Sequence, residues 1–118
     1  MKSGVELIAE ERQRQIEVEG WNNLHDSDHD NMQLSGAAAC YVANAINKDY
    51  GEEKSRFEVY VSESNKMFFG EERGGWQDGW PWEGKWDKRK KHDCIRSLVI
   101  AGALIAAELD RLNNEKKL

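Results

Sequence analysis

The sequence contains no apolar run approaching the ~20 residues that a membrane span requires, which excludes a transmembrane helix. Cysteine is scarce: Cys40 and Cys94 are the only two, each in a small-residue apolar stretch. They read as reduced core residues of a cytosolic protein and not as a disulfide framework. An apolar signal segment is also missing, since Met1-Lys2-Ser3-Gly4 leads straight into a charged helical pattern, so a cytoplasmic location is expected. There is no internal repeat, nucleophile elbow, phosphate-binding glycine loop or Cys/His arrangement for covalent catalysis. The single proline, Pro81, falls in the middle of the chain.

What remains is a chain of 118 residues, enough for one domain with a modest core and too short for two. Charged residues at 33% against 39% hydrophobic describe a soluble chain that is not overtly disordered. The net charge of −5 is unevenly spread. Residues 1–30 hold three basic and eight acidic side chains, whereas residues 85–96 hold six basic and two acidic ones. An acidic balance argues against extended binding along a nucleic-acid backbone. One basic cluster suits a few phosphates or one acidic partner surface.

Three helices are legible. Ser3 and Glu6 form a capping box, Val5, Ile8, Arg12 and Ile16 follow along one stripe, and Gly20 sits where a left-handed cap would fall, predicting a helix over about 4–19. The polar loop Trp21 to Asp30 offers Asp28 or Asp30 as the next N-cap. A second helix is predicted over about 31–49, with Leu34, Ala38, Tyr41 and Ala45 on its buried face. The third, about 93–112, carries the strongest periodicity: Ile95, Leu98, Gly102, Ile105, Leu109 and Leu112. Its Ala101-Gly102-Ala103 turn is expected to pack on the Ala37–Ala39 turn, and the Asn113–Leu118 tail to fray.

Residues 50–92 differ in kind, with six of the ten glycines and four of the five tryptophans. Phe57–Val61 alternates like a strand that Met67-Phe68-Phe69 could pair with, while the Glu and Lys content of Glu52–Asn65 supports a helix instead. Trp76, Trp80, Trp82 and Trp86 are followed at once by the basic cluster. Indole faces stack on nucleobases and nearby cations hold phosphates. The alternative is a lid over a thin helical core.

Two acidic sets invite a metal reading. His25-Asp26-Ser27-Asp28-His29-Asp30 resembles the start of a calcium loop, but Asn31 and Ala37 stand where a glycine and a carboxylate are required. Helix capping, or one magnesium beside a phosphate, remain. Glu6, Glu10, Glu11 and Glu17, with Glu108 and Asp110, place carboxylates on two neighbouring helices, where they suit either a divalent metal or salt bridges to Arg12, Arg14 and Arg111.

Glu6-Leu7-Ile8-Ala9-Glu10-Glu11-Arg12-Gln13-Arg14-Gln15-Ile16, Glu19-Gly20-Trp21, His25-Asp26, His29, Ala37-Ala38-Ala39-Cys40-Tyr41, Trp80-Pro81-Trp82 and the Ala101–Leu112 segment resemble a family of small phage and prophage proteins. The likeness covers both ends and leaves residues 48–75 outside. More weakly, the chain resembles the all-α nucleotide pyrophosphohydrolases of the MazG-like group, which hydrolyse nucleoside triphosphates with magnesium held by helix carboxylates. Their pattern is Glu-Glu-x-x-Glu on one helix and Glu-x-x-Asp on the next. Here Arg14 stands at the third acid, Glu108 and Asp110 have one residue between them, and Gln33 precedes Leu34 where the phage family commonly has glutamate.

The expectation is therefore a mainly α single domain over residues 1–118: a three-helix core with an irregular Trp/Gly-rich insert over 50–92, either helical or a short β-hairpin in part. The favoured function is a phage accessory protein that binds a nucleotide-like phosphorylated ligand, managing a pool or sequestering a host immune signal. Trp80, Trp82 or Trp86 would stack on the base, and Lys88, Arg89, Lys91 and Arg96 would neutralise phosphates. One alternative is a magnesium-dependent nucleoside triphosphate pyrophosphohydrolase using Glu10, Glu11 and Glu108, with Asp26 and Asp110 as metal ligands. Another is a protein–protein inhibitor of a host defence system. Exposed apolar loop surface suggests a homo-oligomer.

Overall fold

The computed structural model describes residues 1–20, 32–50, 57–61, 67–71, 77–78, 80–81 and 87–116. Three helices, α1 (Gly4–Glu17), α2 (Gln33–Tyr50) and α3 (Cys94–Lys116), account for most of them, as the sequence predicts for a mainly α chain. Between α2 and α3 lie β1 (Phe57–Val61), β2 (Met67–Glu71), β3 (Gln77–Asp78) and one 3-10 turn, Arg89–Lys91.

The capping box forms as read: Glu6 N donates to Ser3 Oγ (3.2 Å) and Ser3 N to Glu6 Oε1 (3.3 Å). Gly20 takes the left-handed φ of +74° expected beyond the helix end. Asp93 caps α3, its Oδ1 accepting from Arg96 N at 2.8 Å. The start of α2 is capped from a distance. Glu108 of α3 accepts from Ser35 N (3.2 Å) and Ser35 Oγ (3.0 Å), so a buried carboxylate satisfies a first-turn amide of another helix.

The α2–α3 pair is the core. Leu34, Ala37, Ala38 and Tyr41 pack against Ile100, Ala101, Leu104 and Ala107. So many alanines leave little apolar area per residue, and the small side chains let the helices approach closely. Leu34 and Leu104 are the largest fully buried aliphatic side chains, each contributing roughly 1.5–3 kcal/mol on burial. Cys40 is buried, Cys94 is half-buried, and both are free thiols.

Three expectations about faces need correction. The periodic stripe of α3 is not its core face: Ile95, Leu98, Ile105 and Leu109 are 46–69% exposed, and the buried face is carried by Ser97, Val99, Ile100, Ala101, Ala103, Leu104, Ala107, Glu108 and Arg111. Large aliphatics dominate a periodicity count, whereas the face actually buried is built from small and paired polar residues. Ala101 shares the core with Ala37 and Ala38 of α2 as expected, but Gly102 is seated on α1, where a β-carbon would stand 2.6 Å from Ile8 Cδ1. In α1, Val5 is 79% exposed and the buried positions are Glu11, Arg12 and Gln15. The α3 helix also continues to Lys116, through residues expected to fray.

Over 57–61 the chain is a strand, so the helix reading of 52–65 fails there. The β1–β2 hairpin is not alone. Its order is β2-β1-β3, antiparallel, with Val59 opposite Phe69 and Tyr60 opposite both Phe68 and Asp78, and β1 lies against α2. A third strand and a helix behind supply the support that an isolated hairpin lacks. Among the described residues no helix is long and apolar enough to cross a membrane.

Candidate functional site

The three helices and the segment before α3 line a partly open cavity of about 280 Å³. On α1, Glu11 and Gln15 are one turn apart and share a face, so both reach the cavity floor, flanked by Arg14. Tyr41 comes from α2, and Arg96, Ile100 and Leu104 from α3. Trp80 forms one wall, and Lys88, Lys91 and His92 one rim.

Local hydrogen bonds fix the rim. Asn44 of α2 donates from Nδ2 to Arg89 O (2.9 Å), His92 O (3.5 Å) and Ser97 Oγ (2.8 Å), tying the 3-10 turn to both helices. Asp87 accepts from Arg89 Nε (2.8 Å), Nη2 (2.6 Å) and backbone N (3.2 Å). The Arg89 guanidinium lies 5.2 Å from the Trp80 ring centroid. Trp80 also meets Tyr41 edge-on, at 6.0 Å and 73° between planes. The indole thus has a cation over its ring and a phenol ring set nearly perpendicular beside it.

The floor is an ion-pair cluster. Glu11 Oε1 accepts from Arg14 Nε (2.7 Å) and Arg96 Nη2, and Oε2 accepts from Arg14 Nη2 (2.9 Å) and Gln15 Nε2 (3.1 Å). Burial pushes the Glu11 carboxyl up, but the Arg14 bonds and the Arg96 charge outweigh it, and the net shift is downward. The same carboxylate raises the Arg14 guanidinium. Gln15 is fully buried, and among the described residues its Oε1 has no hydrogen-bond partner. Burial, then the Asp87 charge, push Tyr41 up to about 12, so its hydroxyl keeps its proton and can donate. Burial, then the charges of Lys91 and Arg96, lower His92.

The depressed Glu11 pKa has a consequence for stability. The folded state holds this carboxylate charged more strongly than the unfolded chain does, so its contribution is complete above the ordinary 4.5 and is lost as pH falls through the lower folded value. Urea midpoints measured across pH 3–7 are expected to drop below about 4.5 in the wild type and to drop less in Glu11→Gln. Equal acid slopes in the two proteins would contradict this assignment.

Of the ligand residues expected from sequence, Trp80, Lys88, Lys91 and Arg96 come together at this cavity. Lys88 and Lys91 are exposed and, among the described residues, carry no carboxylate partner. Arg89 is turned to Asp87 and Trp80, and so positions the indole. Trp82, Trp86 and Asp26 lie outside the described residues, as does the Asp28 or Asp30 cap.

The acidic residues do not converge. Glu10 is exposed and pairs with Lys2 at 2.7 Å. Glu108 pairs with Arg111 at 2.7 Å, both side chains 3% exposed, away from the cavity lining. Asp110 lies 3.6 Å from Arg12. The salt bridges of Arg12, Arg14 and Arg111 weighed against a metal site are all formed, Arg14 holding Glu11. A magnesium ion needs oxygen lone pairs to spare, and the four lone-pair directions of Glu11 are already taken. Among the described residues no three His, Cys, Asp or Glu stand close enough to hold a metal.

Gln15, Tyr41, Asn44 and His92 were missed as site residues. Tyr41 was legible only as a core position. Asn44, a polar residue three beyond it on α2, was the one available signal for a tether.

The fold and site define a small α-helical protein with an aromatic-walled, cation-rimmed cavity. No protein-family model, curated protein or solved structure matches the chain.

Proposed function

We propose that the cavity binds a mononucleotide-sized phosphorylated ligand and does not hydrolyse it. The observation carrying this reading is that the Trp80 ring, Lys88, Lys91 and Arg96, all from the stretch 80–96, line one partly open space against the helices. An aromatic ring slides along the indole, and the exposed Lys88 and Lys91 meet the phosphate, Arg96 being held at the floor by Glu11. A volume of about 280 Å³ lies just below the roughly 300–1,000 Å³ of ligand pockets, which points to a ligand no larger than one nucleotide. Binding is favoured over hydrolysis because Glu10, Glu11 and Glu108 are each occupied by basic partners. On the resemblance to small phage proteins, the role is management of a nucleotide pool or sequestration of a signal nucleotide in the host cytoplasm.

Isothermal titration with the common nucleoside 5′-monophosphates at low salt tests this. At least one is expected to bind, with Trp80→Ala weakening it by about 1–3 kcal/mol while the fold persists by circular dichroism. No heat with any of them would remove the reading and leave protein capture as the use of this surface.

The homo-oligomer belongs with this proposal on different ground. Ile95, Leu98, Ile105 and Leu109 leave an apolar flank of α3 open, with steps of three and four that read nearly alike in both directions about Gly102. Such a stripe matches a second copy lying antiparallel to it. Sedimentation velocity is expected to show a dimer that Leu98→Glu converts to a monomer. A monomeric wild type at the same loading would refute it.

A further inference from the structure

We propose that His92 is a phosphate-contacting residue of the cavity and that its ring takes up a proton as the ligand binds, so that affinity rises as pH falls. This rests on the mononucleotide reading and adds to it a pH dependence that the lysines alone do not confer.

The placement of the ring comes first. Lys88 and Lys91 stand three residues apart, so the 3-10 turn stacks them on one side, and His92 follows in extended backbone as the turn ends. Its N–H donates to Arg89 O at 3.2 Å and its carbonyl accepts from Asn44, so the main chain is fixed without using the side chain. The imidazole is half-buried and lies 6.2 Å from the ring of Tyr41, a buried residue that lines the same cavity. Among the described residues neither ring nitrogen has a hydrogen-bond partner, and neither is sealed from the surface, so a ligand can reach them.

The groups around the ring are mostly committed to one another. From α1 come Glu11 and Arg14, paired at 2.7 Å, and Arg14 also holds Glu19 at 2.9 Å. Arg96 of α3 is on Glu11, and Asp93 accepts from Arg96 N at 2.8 Å. Tyr41 of α2 keeps its proton up to about 12. Lys88 and Lys91 share the rim with the ring and have no carboxylate partner among the described residues. Burial, then the Lys91 and Arg96 charges, therefore favour the neutral imidazole in the free protein.

A phosphate dianion reverses that balance. Seated between the lysines, it offsets the charges opposing the imidazolium and accepts its N–H, and the ring draws a proton from the buffer. The bound ring then titrates above the free one. Affinity is gained as pH falls through the bound value and levels off below the free value.

AMP, GMP, CMP and UMP are titrated at pH 6.5 and 8, where a phosphate monoester is mostly dianionic. The His92 ring signals are followed by NMR across pH with and without the best binder, His25 and His29 serving as internal controls. The His92 pKa is expected to move upward on binding, and wild-type affinity to rise about threefold from pH 8 to 6.5. His92→Gln, polar but unable to titrate, is expected to bind no more tightly at pH 6.5 than at 8. A ring pKa unmoved by a nucleotide that binds would overturn the inference and leave the nucleotide reading standing. An undiminished pH dependence in a folded His92→Gln protein would also overturn it. If none of the four binds at either pH, both fail. The wild-type NMR titration decides the matter even where the variant does not fold.

Discussion

Glu108→Ala is expected to destabilise the domain by about 3–5 kcal/mol, a large share of the roughly 5–15 kcal/mol available to a protein of this kind. Glu108 and Arg111 are each 3% exposed and 2.7 Å apart, so removing the carboxylate breaks a buried, hydrogen-bonded ion pair. The same substitution strips Ser35 N of its acceptor and opens the first turn of α2. Urea unfolding of the two proteins measures the difference directly. A loss below 1 kcal/mol would mean that the pair contributes almost nothing net. Replacing both partners with apolar residues, Glu108→Leu with Arg111→Met, is expected to recover much of the loss, because the desolvation penalty disappears with the charges.

Lys88→Gln with Lys91→Gln is expected to act in the opposite manner, leaving stability within about 0.5 kcal/mol while weakening nucleotide binding by roughly a hundredfold. Each lysine offers one charge-assisted contact to phosphate, worth on the order of tenfold. Both are exposed and, among the described residues, without carboxylate partners, so neither substitution strands a buried group. Affinities measured at two salt concentrations add a second readout, since the double variant should respond less to salt. Wild-type affinity in the double variant would detach the basic cluster from the cavity's function.

The sequence made the helices visible because caps and spacing are local. Ser3 and Glu6 announce α1 within four residues, and Leu34, Ala38, Tyr41 and Ala45 mark the face that α2 buries. It misled on α3, where large aliphatics advertise one face while Ala103, Ala107, Glu108 and Arg111 occupy the interior. Alanine carries too little apolar weight to reveal itself in a periodicity. A buried ion pair looks, in sequence, like solvated surface.

At the site, the neighbouring tryptophans and lysines pointed to the rim. The floor was not legible, because Glu11 meets Arg96 across 85 positions of chain and no local pattern encodes that pairing. Arg89 was misjudged for a related reason. Its charge was visible but not its bidentate hold on Asp87, two residues away. Asn44 and Gln15 have side chains common on any helix surface, and only the folded geometry distinguishes them.

The seat of Ile8 on Gly102 reaches further than helix packing. Ile8, Glu11 and Gln15 follow one another at steps of three and four along α1, so the height at which Ile8 rests on α3 sets how deep the other two sit. A methyl group added at position 102 would act as a shim beneath α1, tilting the floor relative to Trp80 and the lysines. Position 102, outside the cavity lining, therefore adjusts the depth of the floor by the thickness of a single carbon atom.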